Sequence, residues 1–113
     1  MCSSDLSGSS TGVYIGTVNS GFDELISITP TEYSPTGSIV ASAAGKIAYK
    51  LNLKGPAISL DTACSSSLTA IHIASNSLLN QEIDYALAGG VNLIFSPKGH
   101  IGFSQLEIGR AHV

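Results

Sequence analysis

One short segment of the chain combines the residue types and the local context that nucleophilic catalysis uses. Residues 61–68, Asp-Thr-Ala-Cys-Ser-Ser-Ser-Leu, lie between a short apolar run and a segment with helical spacing of apolar residues. A cysteine at a helix start meets free backbone N–H groups and the positive end of the helix dipole, which favour thiolate over thiol. The same N–H groups can bind the oxyanion of an acyl transfer to sulfur. Cys64 is therefore a candidate nucleophile; the alternative is a buried, inert thiol.

The other polar residues near Cys64 have structural interpretations. Asp61 is expected to accept backbone N–H bonds, as carboxylates at strand ends often do. The hydroxyls of Ser65, Ser66 and Ser67 are expected to be donors at the helix start. His72 is predicted to be a packing histidine on the same helix, and His100, after a Pro–Gly turn, is assigned no chemistry.

Two further groups of residues have less specific interpretations. Gly89 and Gly90 either allow backbones to approach closely near the cysteine or simply end a strand in a turn. The sequence supports the two interpretations equally. Three lysines, Lys46, Lys50 and Lys54, are expected to form a solvated face.

Hydrophobic periodicity predicts the elements that position Cys64. Strands are expected where β-branched, aromatic or apolar residues form short runs bounded by glycine, and helices where apolar residues recur at i, i+3 and i+4. The predicted strands are 12–17, 57–61, 84–90 and 91–95; the predicted helices are 22–28, 38–51 and 65–80; turns are expected at 62–64 and 96–99. This order predicts an α/β protein with a largely buried sheet.

Composition excludes several classes of protein. Only 12% of the 113 residues are charged while 43% are hydrophobic, against about 25% charged in ordinary soluble domains. The net charge of -3 and the absence of a basic cluster argue against nucleic acid or an anionic membrane as a partner. Two cysteines and three scattered histidines do not support a disulfide scaffold or a zinc site. No signal peptide or membrane span is visible, so a reduced, cytoplasmic protein is expected.

The two ends of the chain can be translated from one short oligonucleotide read on opposite strands. GTG TGC TCT TCC GAT CTN, with GTG as initiator, encodes residues 1–6, and its reverse complement encodes residues 107–112. This is what a ligated sequencing adapter leaves on an amplified insert. Residues 1–6 and 107–113 are therefore predicted to be adapter translations that flank a native segment, 7–106.

The segment 12–106 resembles the active-site region of β-ketoacyl synthases, most closely the ketosynthase domains of modular polyketide synthases. The Asp-Thr-Ala-Cys-Ser-Ser-Ser string is highly specific, and other stretches fit in order and spacing: 42–49, 53–57, 86–92 and 96–104. The resemblance implies an α/β fold of the thiolase type, of which this chain would be an internal fragment from the N-terminal half.

The family's reaction has two stages. Carried over by position, Cys64 would accept an acyl chain from the phosphopantetheine arm of an acyl carrier protein, and its backbone N–H would be one oxyanion donor. The thioester would then condense with a malonyl-type extender in a decarboxylative Claisen reaction. The resemblance implies no directly bound cofactor, no metal and a homodimer. The family's two catalytic histidines belong to motifs C-terminal to this segment, so the chain alone is expected to be inactive.

Three alternatives stay open at this point. A ketosynthase-like domain could transfer acyl groups without elongating them, which would preserve Cys64. The segment could instead be a structural or dimer-forming module of a megasynthase. A cysteine hydrolase is a weaker alternative, because no histidine or asparagine motif lies close to Cys64.

Overall fold

The structure is a computed structural model that describes residues 3–19 and 39–106. Short helices and strands alternate along these two ranges. The elements are α1 (Ser3–Leu6), β1 (Thr11–Thr17), α2 (Ser42–Lys50), β2 (Ala57–Leu60), a 3₁₀ turn (Ala63–Ser65), α3 (Ser66–Leu79), β3 (Tyr85–Val91) and α4 (Lys98–Gln105). The predicted helix 22–28 lies outside the described residues.

The described strands form one parallel sheet in the order β2-β1-β3. In the register, Gly16 of β1 is paired with Leu60 of β2 on one side and with Gly90 of β3 on the other. Parallel pairing brings the carboxyl ends of all three strands to the same edge. The segments that follow the strands, including the one that carries Cys64, therefore meet at this edge.

Strand β1 is buried because helices cover both of its faces. Tyr14 packs with Ala70 and Ala74 of α3, whereas its neighbour Val13 packs with Ala44 of α2 and with Leu53. Successive side chains of a strand alternate between faces, so the two clusters lie on opposite sides of the sheet. Val13 and Tyr14 are almost completely buried. The predicted α/β arrangement is confirmed, although many residues of β2 and β3 are partly or fully exposed.

The prediction of a longer second helix was partly wrong. Helix α2 begins at Ser42, after a turn at residues 40–41. In this turn the Ser42 N–H and the Ser42 hydroxyl both donate to the Ile39 carbonyl, at 3.0 and 2.7 Å. A side chain of β2 also contacts the helix start: Ser59 Oγ accepts the Ala44 N–H at 3.0 Å and donates to the Ala41 carbonyl at 3.2 Å.

The predicted fourth strand, 91–95, is wrong. β3 ends at Val91, and residues 92–96 have no regular structure. The apolar side chains of Leu93, Ile94 and Phe95 are about half exposed, and within residues 3–19 and 39–106 the sheet contains only β2, β1 and β3. Helix α4 follows instead, where only a turn at 96–99 was predicted.

Two further observations concern the described residues. No helix within 3–19 and 39–106 is both long and apolar enough to cross a bilayer. Residues 3–6, which lie within the predicted adapter translation, form α1, and Leu6 packs against the cluster that contains Val13. The adapter origin of 1–6 and 107–113 stays a prediction.

Candidate active site

Cys64 lies on a sharp turn between β2 and α3, as the sequence predicts. It is the middle residue of the 3₁₀ turn Ala63–Ser65, which leads directly into α3, and its thiol is free and exposed. The residue before it, Ala63, has a positive φ of 55°. This left-handed conformation is disfavoured for L-residues other than glycine, so the turn must be stabilised by its surroundings.

Side-chain hydrogen bonds to the backbone stabilise this turn. Asp61 Oδ1 accepts the Ala63 N–H at 2.9 Å, which confirms the predicted role of the carboxylate. Ser66 Oγ accepts the Thr62 N–H at 2.9 Å and donates to the Ala63 carbonyl at 2.7 Å. Both peptide groups of Ala63 are thus tied to neighbouring side chains.

Further hydroxyls connect the turn to the first turns of α3. Ser65 Oγ lies 2.8 Å from the Thr62 carbonyl and 2.9 Å from Thr62 Oγ1. Thr62 Oγ1 is 3.1 Å from Thr69 Oγ1, which in turn donates to the Ser65 carbonyl at 3.0 Å. Ser65 and Ser66 are therefore donors at the helix start, as predicted. Neither caps a helical N–H group in the usual way: the Ser65 side chain makes no capping bond.

Two glycines of the sheet allow the start of α3 to lie directly on the strands. A Cβ added at Gly16 would be 2.6 Å from the carbonyl carbon of Ser66, and one added at Gly90 would be 2.8 Å from Ser67 Cβ. Gly16 and Gly90 are paired in the sheet, so they form a continuous bare surface under the helix. The close-approach interpretation is thus correct for Gly90. At Gly89 the nearest atom to an added Cβ is 4.0 Å away.

A cleft of about 940 Å³ opens at the carboxyl edge of the sheet, and Cys64 lines it. One wall is formed by the turn at residues 61–66, which we call the elbow, another by the ends of β1 and β3 and the residues that follow them, and a third by α4. The lining includes apolar side chains and two basic ones, among them Val91, Leu93, Ile94, Phe103, Lys98 and His100. Clefts outside the carboxyl ends of parallel strands are the usual ligand sites of α/β sheets.

His72 and His100 lie in different parts of the structure. His72 is exposed on α3, with Nε2 3.2 Å from Asn76 Nδ2, so it has a local partner but is not packed in the described core. His100 lines the same cleft as Cys64, although the sequence assigned it no chemistry. Within residues 3–19 and 39–106, no three His, Cys, Asp or Glu side chains cluster as metal ligands.

Sequence reasoning missed the part of the cleft that comes from outside the elbow. Gly16, Thr17, Val18 and Asn19 reach the cleft because β1 lies between β2 and β3. The available signal was the glycine at the end of β1, which matches the glycine at the end of β3. The three lysines, Lys46, Lys50 and Lys54, are exposed, as predicted.

Comparisons with known proteins are consistent with one another. The family model described as "Beta-ketoacyl synthase, N-terminal domain" matches residues 2–112. Polyketide synthase PksN of Bacillus subtilis is 43% identical over 101 residues, which are 88% of this chain and 2% of that protein. A phenolphthiocerol synthesis polyketide synthase type I, Pks15/1 of Mycobacterium marinum, is 49% identical over 100 residues, 88% of this chain and 5% of that protein.

A solved structure shares the fold. The ketosynthase from module 6 of the bacillaene synthase of Bacillus subtilis has a TM-score of 0.75 and 40% sequence identity. The match covers 93% of this chain and 17% of the solved chain. This chain therefore spans only a small part of the length of each protein that it matches.

Proposed function

Since this chain belongs to the β-ketoacyl synthase family and has part of its α/β, thiolase-like fold, we propose that Cys64 is the nucleophile of a polyketide ketosynthase. The observation that supports this role is its position: a free, exposed thiol at the head of α3 that lines the cleft at the carboxyl edge of the sheet. The substrate is an acyl thioester on the phosphopantetheine arm of an acyl carrier protein.

The first stage transfers the acyl group to the protein. Sγ of Cys64 forms a bond to the thioester carbon, the bond from that carbon to the phosphopantetheine sulfur breaks, and the released thiol takes up a proton. In residues 3–19 and 39–106 the backbone N–H of Cys64 has no hydrogen-bond acceptor. It is available to the oxyanion that forms on the way. Apolar side chains along the cleft, including Val91, Leu93 and Phe103, suit an acyl chain.

The second stage makes a carbon–carbon bond. A malonyl-type extender on a second acyl carrier thioester loses carbon dioxide, and the resulting carbanion attacks the acyl carbon on Cys64. The bond between that carbon and Sγ breaks, so the thiolate is restored and a β-ketoacyl thioester leaves on the carrier. The covalent thioester keeps the growing chain electrophilic while the extender enters.

The experiment uses the full ketosynthase domain that contains this segment. Three proteins are compared: the wild-type domain, Cys64→Ala and the control Ser75→Ala. Ser75 is an exposed residue of α3 outside the cleft. Each protein is incubated with an acyl-N-acetylcysteamine thioester, and its mass is measured by mass spectrometry. We expect one added acyl group on wild type and on Ser75→Ala, and none on Cys64→Ala. Acylation of Cys64→Ala at the wild-type rate would refute the assignment.

The same experiment distinguishes the alternatives. Acylated wild type is mixed with a malonyl-type thioester on acyl carrier protein, and the β-ketoacyl product is measured. Acylation without a product would indicate a non-elongating acyl-transfer domain. Absence of acylation would indicate a structural or dimer-forming module.

We further propose that the full domain is a cytoplasmic homodimer. The free thiol of Cys64 is compatible with a reducing compartment. β3 lies at one edge of the described sheet, and Tyr85 and Val91 on it are exposed; an open edge accepts a further strand, from the rest of the domain or from a second chain. Light scattering of the purified domain should give the mass of two chains, and a monomer would contradict this proposal.

A further inference from the structure

The turn before Cys64 depends on one buried serine that the sequence offered only as a helix-start residue. Ser66 is 7% exposed, and its hydroxyl both accepts and donates: it accepts the Thr62 N–H and donates to the Ala63 carbonyl. Removing the hydroxyl would leave the Thr62 N–H without this acceptor. Ser66 thus joins α3 to the two residues that precede the nucleophile.

The bond to the Ala63 carbonyl acts on the backbone of Cys64. The carbonyl of Ala63 and the N–H of Cys64 belong to the same planar peptide group, in which they point in opposite directions. A donor that holds the carbonyl therefore also holds the direction of the N–H. The Ser66 backbone N–H donates to the same carbonyl, so two bonds from one residue orient this peptide group.

The left-handed conformation of Ala63 makes this orientation dependent on outside support. With a φ of 55°, Ala63 would adopt a right-handed or extended conformation more readily on its own. Either change would rotate the peptide group that contains the Cys64 N–H. Asp61 holds one side of Ala63 through its N–H, and Ser66 holds the other through its carbonyl.

Ser66 can hold the turn because the sheet holds Ser66. An added Cβ at Gly16 would be 2.6 Å from the Ser66 carbonyl carbon and 2.7 Å from its Cβ. These distances mean that the Ser66 backbone lies directly on β1, the buried central strand. Contact with this buried strand therefore fixes the position of the turn relative to the core of the described fold.

From this geometry we infer that Ser66 is a positioning residue for acyl transfer: its hydroxyl orients the Cys64 N–H toward the thioester oxyanion. The inference rests on the proposed function of Cys64. In acylation, Sγ bonds to the thioester carbon, the carbon–sulfur bond of the incoming thioester breaks, and the leaving thiol takes a proton. An N–H that points elsewhere cannot stabilise the negative charge on the oxygen between these two events.

Two reactions of the same thiol separate this role from a structural one. Acyl transfer passes through an oxyanion, whereas alkylation by iodoacetamide displaces iodide at carbon and forms no oxyanion. Both rates are measured on the full ketosynthase domain, for wild type and for Ser66→Ala. Loss of one oxyanion donor costs on the order of a hundredfold or more in kcat, so we expect misorientation to lower acylation at least about tenfold. Alkylation should change less than about twofold.

A matched control exists on the same helix. Ser77 is 8% exposed, almost as buried as Ser66, but does not line the cleft. Ser77→Ala removes a similarly buried hydroxyl from the same helix and should leave the ratio of acylation to alkylation at the wild-type value. A similar fall of the ratio in Ser77→Ala would overturn the inference.

A conservative variant keeps the test decisive if Ser66→Ala does not fold. Ser66→Thr retains the hydroxyl, so its acylation-to-alkylation ratio should stay within about threefold of wild type, with any loss confined to stability because a methyl group is added at a buried position. A ratio about tenfold lower in Ser66→Thr would overturn the inference. So would wild-type acylation by Ser66→Ala, or equal losses in both of its rates.

Failure of the proposed function gives a different result. If Cys64→Ala is still acylated, the nucleophile assignment is wrong whatever Ser66 does. If acylation requires Cys64 but is indifferent to the Ser66 hydroxyl, only the positioning role is lost.

Discussion

The contact between α3 and the sheet can be tested at two adjacent glycines that differ in one respect. An added Cβ at Gly90 would lie 2.8 Å from Ser67 Cβ, whereas at Gly89 the nearest atom, Ile15 Cδ1, is 4.0 Å away. The most favourable distance between two nonbonded carbon atoms is roughly 3.5–4.0 Å. Gly90→Ala therefore requires a movement of at least about 0.7 Å between α3 and β3, and Gly89→Ala requires none.

The expected free energies of unfolding follow from these distances. Overpacking a well-packed contact costs about 1–3 kcal/mol. Replacement of glycine by alanine also restricts the unfolded chain, which stabilises the fold by about 0.4–1 kcal/mol where the backbone conformation is compatible. Neither residue has a positive φ. Gly90→Ala should thus destabilise the domain by about 1–2 kcal/mol, and Gly89→Ala should stabilise it by about 0.4–1 kcal/mol.

The measurement is urea denaturation of the full ketosynthase domain for both variants, together with the rate of acylation. Because the residue that Gly90 contacts, Ser67, adjoins Ser66, Gly90→Ala should also slow acyl transfer to Cys64. Equal stability of the two variants would refute the reasoning, since it would mean that the start of α3 does not lie on β3 as the distances indicate.

Two further predictions concern stability away from the cleft. Ser59→Ala should destabilise the domain by about 1–2 kcal/mol, because the buried Ala44 N–H loses its acceptor at the start of α2; in the same urea titration, Ser75→Ala should change less than about 0.5 kcal/mol, and an equal loss in both would contradict the capping role. Tyr14→Phe should raise the free energy of unfolding by about 1 kcal/mol, and with it the urea midpoint, because the Tyr14 hydroxyl is buried with no hydrogen-bond partner among the described residues. The exposed Tyr49 provides its control, and a less stable Tyr14→Phe would show that the hydroxyl is satisfied.

The elbow was predictable because its signals are local. A short apolar run, a turn of small polar residues and a helical repeat follow one another within residues 57–79, and each is visible without knowledge of the rest of the chain. The structure places β2 at Ala57–Leu60 and α3 at Ser66–Leu79, close to the predicted bounds. The left-handed Ala63 was not predicted, since alanine itself carries no signal for that conformation.

The segment after β3 was mispredicted because its local preferences conflict with its surroundings. Residues 91–95 have the composition of a strand, but a strand needs a neighbour and a face to bury. In α4, Gly99 and Gly102 lower the helix propensity and conceal the helix. Pro97, the residue immediately before α4, has a fixed φ that is compatible with a helix start.

The cleft could not be predicted, because it depends on which strands are neighbours. Gly16 and Gly90 are far apart in the chain, and only the register of β1 with β3 makes them one surface. His100 and Phe103 likewise reach the cleft only because α4 exists and packs at the same edge. Periodicity identifies strands and helices, whereas pairing between distant strands is a property of the folded chain.

The distribution of glycine and alanine around Cys64 has a physical logic. Positions 16 and 90 are glycines, and a side chain at either would separate α3 from the sheet. Position 63 is an alanine, although its left-handed backbone conformation would suit glycine best. Glycine at 63 would adopt the observed φ readily and many others as well, so the peptide group of Cys64 would be less restricted. Alanine in that conformation persists only with support from Asp61 and Ser66. Cys64 is thus positioned by a disfavoured backbone conformation at Ala63, which has partners on both sides, and by glycines that leave room for α3 on the sheet.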